Sequence, residues 1–92
     1  MEVKQAVVKA KNYVKELFEE EKPANLALEE VEFDNSTSEW FITVGFNRPW
    51  DKPKNMFAEA AGLNDPRRSY KVVRISDETG EVISVKNHET AH

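Results

Sequence analysis

Residues 2–18, which read EVKQAVVKAKNYVKELF, decide the fold of this chain. Their apolar side chains recur at steps of three and four residues, which is the spacing of one face of an α-helix. We predict a helix over residues 2–22, ended by Pro23, because proline cannot continue the helical hydrogen bonding. The apolar face of such a helix needs a surface to cover. The residues of this apolar helix face are Val3, Ala6, Val7, Ala10, Tyr13, Val14, Leu17 and Phe18.

The segment after Pro23 has the two-residue period of a β-strand, with one change of phase. Leu26 and Leu28 alternate in one phase, and Val31 and Phe33 alternate in the other. One extra residue at position 29 or 30, a β-bulge, would return both pairs to the same face. The first strand is therefore predicted over residues 26–33, with a bulge near its middle.

A second strand is predicted over residues 39–47, which follow the polar turn sequence DNSTS. Its alternate residues define two faces. The apolar face contains Trp40, Ile42, Val44 and Phe46, and the other face contains Phe41, Thr43 and Gly45.

The C-terminal part predicts a hairpin of two strands, residues 69–76 and 81–87, joined by the turn DETG. A type I turn followed by Gly80 in the left-handed region fits this loop. The expected register places Val73 opposite Val85, Ile75 opposite Ile83, and Arg74 opposite Ser84. The same phase places Tyr70, Val72 and Val82 on the outer face with one of Trp40 and Phe41.

These elements predict a single α+β domain over residues 1–92, because a chain of this length leaves room for one core. In the predicted two-layer architecture the N-terminal helix packs across a four-stranded antiparallel sheet, in the order α-β-β-β-β. An excursion over residues 48–68 separates the second and third strands, and a polar tail follows over residues 88–92.

The excursion supplies the best candidate for a partner-binding site. It brings cations and aromatic rings together in a chain that is acidic overall. Two interpretations stay open: a recognition loop that docks its rings into a partner and pairs its arginines with acidic groups, or a cover for the open end of the sheet. The candidate residues are Arg48, Trp50, Phe57, Arg67 and Arg68.

Composition excludes several classes of protein. The formal net charge of −4 argues against binding nucleic acid through a basic face. No apolar run reaches the roughly 18 residues of a membrane span, and the charged N-terminus does not resemble a secretory signal. Cysteine is absent, so disulfides and thiol chemistry are excluded. We expect a cytoplasmic protein that contacts neither nucleic acid nor membrane.

The sequence predicts neither catalytic residues nor a cofactor. Three isolated glycines do not make a phosphate-binding loop. Residues 88–92 match the His-Glu-x-x-His zinc motif, but they follow a strand, whereas the motif needs both histidines on one face of a helix. We therefore predict no metal site and no enzyme.

The hairpin carries a family resemblance. The stretch YKVVRISDETGEVISV, residues 70–85, resembles the closing hairpin of PepSY-type domains, in which a helix precedes an antiparallel sheet. That resemblance implies a role in protease inhibition or regulation and brings no catalytic residues. The order of helix and sheet is also similar to cystatin-like folds, which include enzymes, inhibitors and binding modules.

The sequence leaves three functions open. The first is a small non-catalytic module that binds a protein or peptide through the excursion or the outer sheet face. The second is a small-ligand or enzymatic domain with a pocket between helix and sheet. The third is a regulatory domain of a larger assembly. Apolar residues on the outer face also suggest a homodimer through sheet faces or edges.

Overall fold

A computed structural model of the chain describes residues 1–49 and 69–88. Helix α1 lies on one face of a four-stranded antiparallel sheet with strand order β1-β2-β3-β4, which confirms the predicted α+β architecture. Both β2 and β3 have the predicted bounds. The elements are α1 (Val3–Leu17), a 3-10 turn (Glu19–Glu21), β1 (Ala24–Asp34), β2 (Glu39–Asn47), β3 (Ser69–Ser76) and β4 (Val82–Asn87).

Helix α1 ends five residues before the predicted boundary. The backbone amide of Phe18 still donates to the carbonyl of Val14, at 3.0 Å, and then a 3-10 turn and Lys22 in the left-handed conformation reverse the chain. The three consecutive glutamates of that turn would be unfavourable in an α-helix at this end, because the helix dipole is negative there. At the start, a capping box of Glu2 and Gln5 satisfies the first backbone amides.

The core lies between α1 and the helix-facing side of the sheet. Eight apolar residues there are completely buried. The predicted apolar face of α1 is confirmed for the residues along its centre. Val3, Tyr13 and Leu17 are exposed, so the buried part of that face is narrower than predicted. The buried residues are Ala6, Ala10, Val14, Ile42, Val44, Phe46, Val73 and Ile75.

Strand β1 contains the predicted bulge, and Glu29 is the extra residue. Leu28 pairs with Val44, and Glu30, two positions later, pairs with Thr43. The insertion returns the two halves of the strand to the helix-facing side. A second irregularity lies near Asn25, whose positive φ of 56° is a conformation that asparagine tolerates better than most residues.

The β3–β4 hairpin differs from the predicted register in one pair. Val73 opposite Val85 and Arg74 opposite Ser84 are confirmed, but Ile75 pairs with Val82 and not with Ile83. The cause is the loop. The amide of Ser76 donates to the carbonyl of Glu81, so the hairpin closes one residue earlier on the β3 side than predicted.

A bulge at Ile83 restores the register beyond this loop. The bulge reverses the predicted placement of two side chains. Val82, predicted on the outer face, packs against the core, and Ile83, predicted on the core side, is 46% exposed. The predicted left-handed conformation of Gly80 is confirmed, with φ of 74°.

Asp77 in the hairpin turn contacts both Trp40 of β2 and Met1, the residue at the start of the chain. Trp40 lies on the helix-facing side, where its ring packs 4.7 Å from that of Phe33. Its Nε1 donates to Oδ1 of Asp77 at 3.0 Å, and the N-terminal ammonium of Met1 lies 3.2 Å from the same oxygen. These two partners, the indole first, hold the pKa of Asp77 below its ordinary value.

Replacing Val14 tests the helix-to-sheet core. Val14→Ala removes completely buried methyl groups and should lower the free energy of unfolding by about 2 kcal/mol, measured by urea denaturation. The matched control is Val8→Ala on the same helix, where the side chain is 57% exposed and the change should stay within about 0.5 kcal/mol. Equal losses in the two variants would contradict this placement of the helix.

Ionisation of Asp77 should make the free energy of unfolding depend on pH in the acidic range. Because its pKa is lower in the folded chain than the ordinary 3.8, the stabilisation is complete above that pH and is lost as the pH falls through the folded value. Asp77→Asn should therefore lose less stability on acidification than the wild type, measured by thermal unfolding at a series of pH values. Glu78→Gln, an exposed neighbour, is the control. A wild-type acid profile in Asp77→Asn would contradict the assignment.

Candidate functional site

The side of the sheet turned away from α1, called here the outer face, has no covering helix among the residues that the structure describes. On its two middle strands Phe41, Tyr70 and Val72 are half-buried and Thr43 and Gly45 are buried, and its two edge strands carry exposed charges. Strand register assigns to it Glu30 and Glu32 of β1, Phe41, Thr43 and Gly45 of β2, Tyr70, Val72 and Arg74 of β3, and Ser84 and Lys86 of β4.

Arg74 organises one end of the outer face. Its Nε lies 2.7 Å from Oε1 of Glu39 and its Nη2 lies 3.2 Å from Oε2, which is a two-pronged ion pair. The guanidinium carbon also lies 5.9 Å from the centre of the Phe41 ring. The hydrogen bond from Arg74 lowers the pKa of Glu39, and the same contact raises the pKa of Arg74. The arginine is thus fixed across two strands and does not project freely.

A depression of about 230 Å³ lies beside this ion pair. Phe41 and Val72 supply apolar walls, while Arg74 and Lys86 supply positive charge at the rim. Ser84 and Asn87 complete the described lining. The volume of the depression is below the roughly 300 Å³ at which small-molecule pockets usually begin.

Arg48, the one described member of the predicted partner-binding set, is held within the fold. Its Nε lies 2.6 Å from Oε1 of Glu21, and its guanidinium carbon lies 5.5 Å from the centre of the Phe46 ring. The arginine therefore ties the turn after α1 to the end of β2. Trp50, Phe57, Arg67 and Arg68 lie outside the described residues, so their role stays a prediction.

Lys71 stands beside Arg48 on the helix-facing side, a position that the sequence analysis did not single out. Its Nζ lies 5.1 Å from the centre of the Phe18 ring and donates a hydrogen bond to Oδ1 of Asn87. Burial, followed by the charge of Arg48, lowers the pKa of this lysine. The sequence carried one signal for this contact: Lys71 alternates with Val73 and Ile75 of β3, so it shares their helix-facing side.

The structure supplies no arrangement for metal chemistry among the residues that it describes. No group of three or more His, Asp or Glu side chains there is placed to hold a metal ion. Of the His-Glu-x-x-His motif only His88 is described, and its backbone amide donates to the carbonyl of Tyr70 at 3.0 Å. No helix in the described ranges is long and apolar enough to cross a membrane.

No family model, no curated protein and no solved structure matches the chain. The resemblance of the hairpin to PepSY-type domains, and of the element order to cystatin-like folds, therefore stays a prediction.

Removing the Arg48 side chain should show its role within the fold. Arg48→Ala loses the ion pair with Glu21 and the contact with the Phe46 ring, and we expect a loss of about 1 kcal/mol in unfolding free energy. Lys15→Ala, at an exposed position of α1, is the control and should change stability by less than about 0.5 kcal/mol. If Arg48→Ala unfolds like the wild type, Arg48 contributes nothing to the stability of the fold.

Proposed function

We propose that this protein is a small non-catalytic module that binds a protein or peptide through the outer face. The observation that carries the proposal is the apolar strip of Phe41, Tyr70 and Val72, which lies in the middle of the face that α1 does not cover. All three side chains keep part of their surface accessible.

The composition of the outer face supports recognition of another macromolecule. Protein interfaces typically combine an apolar centre with a polar rim, and aromatic residues and arginine are enriched in them. Here Phe41 and Arg74 are paired across the two middle strands, and Glu30 and Lys86 lie on the two edge strands. Because the ion pair with Glu39 fixes Arg74, the surface is ordered before a partner arrives, which reduces the entropy lost on binding.

The edges of the sheet are less suited to binding than its face. The β1 edge carries exposed glutamates at positions 29, 30 and 32 and is irregular in two places, features that discourage the addition of another strand. The β4 edge has only six residues and a bulge at Ile83. The face offers a wider regular surface than either edge.

A pocket between helix and sheet, the alternative basis for a small-ligand or enzymatic function, finds less support. Ala10 and Val14 of the helix and Ile42 and Val44 of the sheet are completely buried against each other's layers. The alanines bring the helix close to the sheet, and close packing leaves little space for a ligand. A binding role is also the one that the PepSY-like resemblance would imply.

Affinity capture with matched variants tests the proposal. Immobilised wild-type protein is exposed to a lysate of its source cells, each bound protein is identified, and its binding is then measured with purified components. Val72→Glu places a charge in the middle of the outer face and should reduce that affinity at least about tenfold. Val8→Glu introduces the same change at an exposed apolar position of α1 and should leave the affinity unchanged.

Circular dichroism and cooperative unfolding establish that both variants are folded. Equal affinities of Val72→Glu and the wild type for every reconstituted partner would overturn the assignment of the outer face. Loss of binding in Val8→Glu alone would assign recognition to the helix.

A further inference from the structure

The basic residues of the sheet lie on its β3–β4 half. These two strands contain Lys71, Arg74 and Lys86 and no acidic residue, although the formal net charge of the chain is −4. The acidic residues of the sheet lie on β1 and β2. Because Arg74 and Lys86 belong to the outer face, the basic side chains of that face are concentrated on one half of it.

Arg74 and Lys86 are diagonal neighbours on the two strands. Arg74 pairs with Ser84, and in the next row of the same face Val72 pairs with Lys86. Residues related in this way lie about 7–8 Å apart, which leaves room for one anionic group between the two cationic side chains. Both side chains line the depression of about 230 Å³ described above.

Both cations keep donors for a further acceptor. Glu39 accepts two of the five N–H groups that an arginine carries, so three N–H groups of Arg74 are left for another oxyanion. The side chain of Arg74 also keeps 37% of its surface accessible. Lys86 is exposed and forms no ion pair with a residue that the structure describes. The depression therefore combines one arginine held in place with one lysine that is free to move.

The remaining lining indicates what else a ligand contacts. Ser84 lies next to both cations, opposite Arg74 and two residues before Lys86, so its hydroxyl adds a donor at the same place. Phe41 and Val72 are half-buried and supply apolar surface for carbon atoms. Because the volume lies below that of small-molecule pockets, we assign to the depression one side chain of a larger ligand.

We infer that the depression binds an anionic side chain of a peptide or protein partner, whose carboxylate or phosphate group lies between Arg74 and Lys86 and whose carbon atoms contact Phe41 and Val72. The inference rests on the proposed binding role of the outer face and names the chemistry of the partner. Hydrogen bonds from arginine or lysine to an oxyanion are about twice as strong as those between neutral groups. The planar guanidinium gives directional recognition, and the flexible ammonium follows the charge.

Three peptides that differ in one residue test the inference. They have the sequence acetyl-Gly-Leu-Xaa-Leu-Gly-amide, in which Xaa is glutamate, phosphoserine or glutamine. Each is titrated into the isotope-labelled full chain at constant ionic strength, and the backbone amides are followed by NMR. The two anionic peptides should shift the amides of Ser84 and Lys86 saturably, and the glutamine peptide should bind at least about tenfold more weakly. Inorganic phosphate is titrated separately.

A lysine variant and a matched control locate the site. Lys86→Gln should weaken binding of the anionic peptides at least about threefold and leave the glutamine peptide unaffected, because only the charge of the lysine has been removed. Lys15→Gln makes the same change at an exposed position of α1 and should bind like the wild type. The amide spectra also show whether each variant is folded.

Equal affinities for the three peptides overturn the inference, and so does an unchanged affinity of Lys86→Gln for the anionic peptides. The absence of saturable shifts at Ser84 and Lys86 overturns it as well. If inorganic phosphate binds as tightly as the phosphoserine peptide, the site takes free phosphate and the assignment to a peptide is overturned. The binding role of the outer face is judged separately, because it is contradicted only if Val72→Glu leaves every reconstituted interaction intact.

Discussion

The fit of one narrow helical stripe against one apolar sheet face is the constraint on which the rest of this structure depends. Ala6, Ala10 and Val14 project one above another from α1, and none of them has accessible surface. Two of the three are alanines, so the helix axis can approach the middle strands closely. The larger side chains of Ile42 and Phe46 then fill the space on either side. Hydrophobic burial in this layer stabilises the packing of α1 on the sheet.

The helix covers only one side of the sheet, and this asymmetry gives the molecule its second surface. No helix of the described residues covers the opposite side, which carries rings and charges. These side chains are ordered by contacts between neighbouring strands, of which the ion pair of Arg74 with Glu39 over the ring of Phe41 is the clearest. Phe41, Val72 and Arg74 are held in order in this way and keep part of their surface accessible, which is the basis of the proposed binding role.

Local periodicity predicted much of the fold. The alternation in β2 and β3 predicted both strand ranges, and the change of phase in β1 predicted a bulge at position 29 or 30, which the structure places at Glu29. The pairing of Ile75 was missed because it depends on how the loop closes at Ser76 and Glu81, which residue types alone do not specify. The early end of α1 was missed because Phe18 belongs to the helical pattern, yet its ring packs against Phe46 from beyond the last helical turn.

The functional surface was harder to predict than the fold. Trp40 and Phe41 were expected on opposite faces, but only strand pairing showed that Phe41 meets Arg74. Arg48 was one candidate for partner binding, and its internal contact with Glu21 joins residues far apart in sequence. Contacts of this kind have no periodic signature, because they depend on the relative placement of elements and not on the composition of either one.

The bulge at Glu29 also bears on how this sequence can change during evolution. Leu28 and Val31 share a face although they are three positions apart, because one residue of β1 has no counterpart on β2. Loss of a single codon at that point would leave them two positions apart, which is the spacing of an unbulged strand. The middle of β1 can therefore absorb a one-residue deletion without inverting its inner and outer side chains, whereas the same deletion inside β2 would reverse the orientation of every residue beyond it.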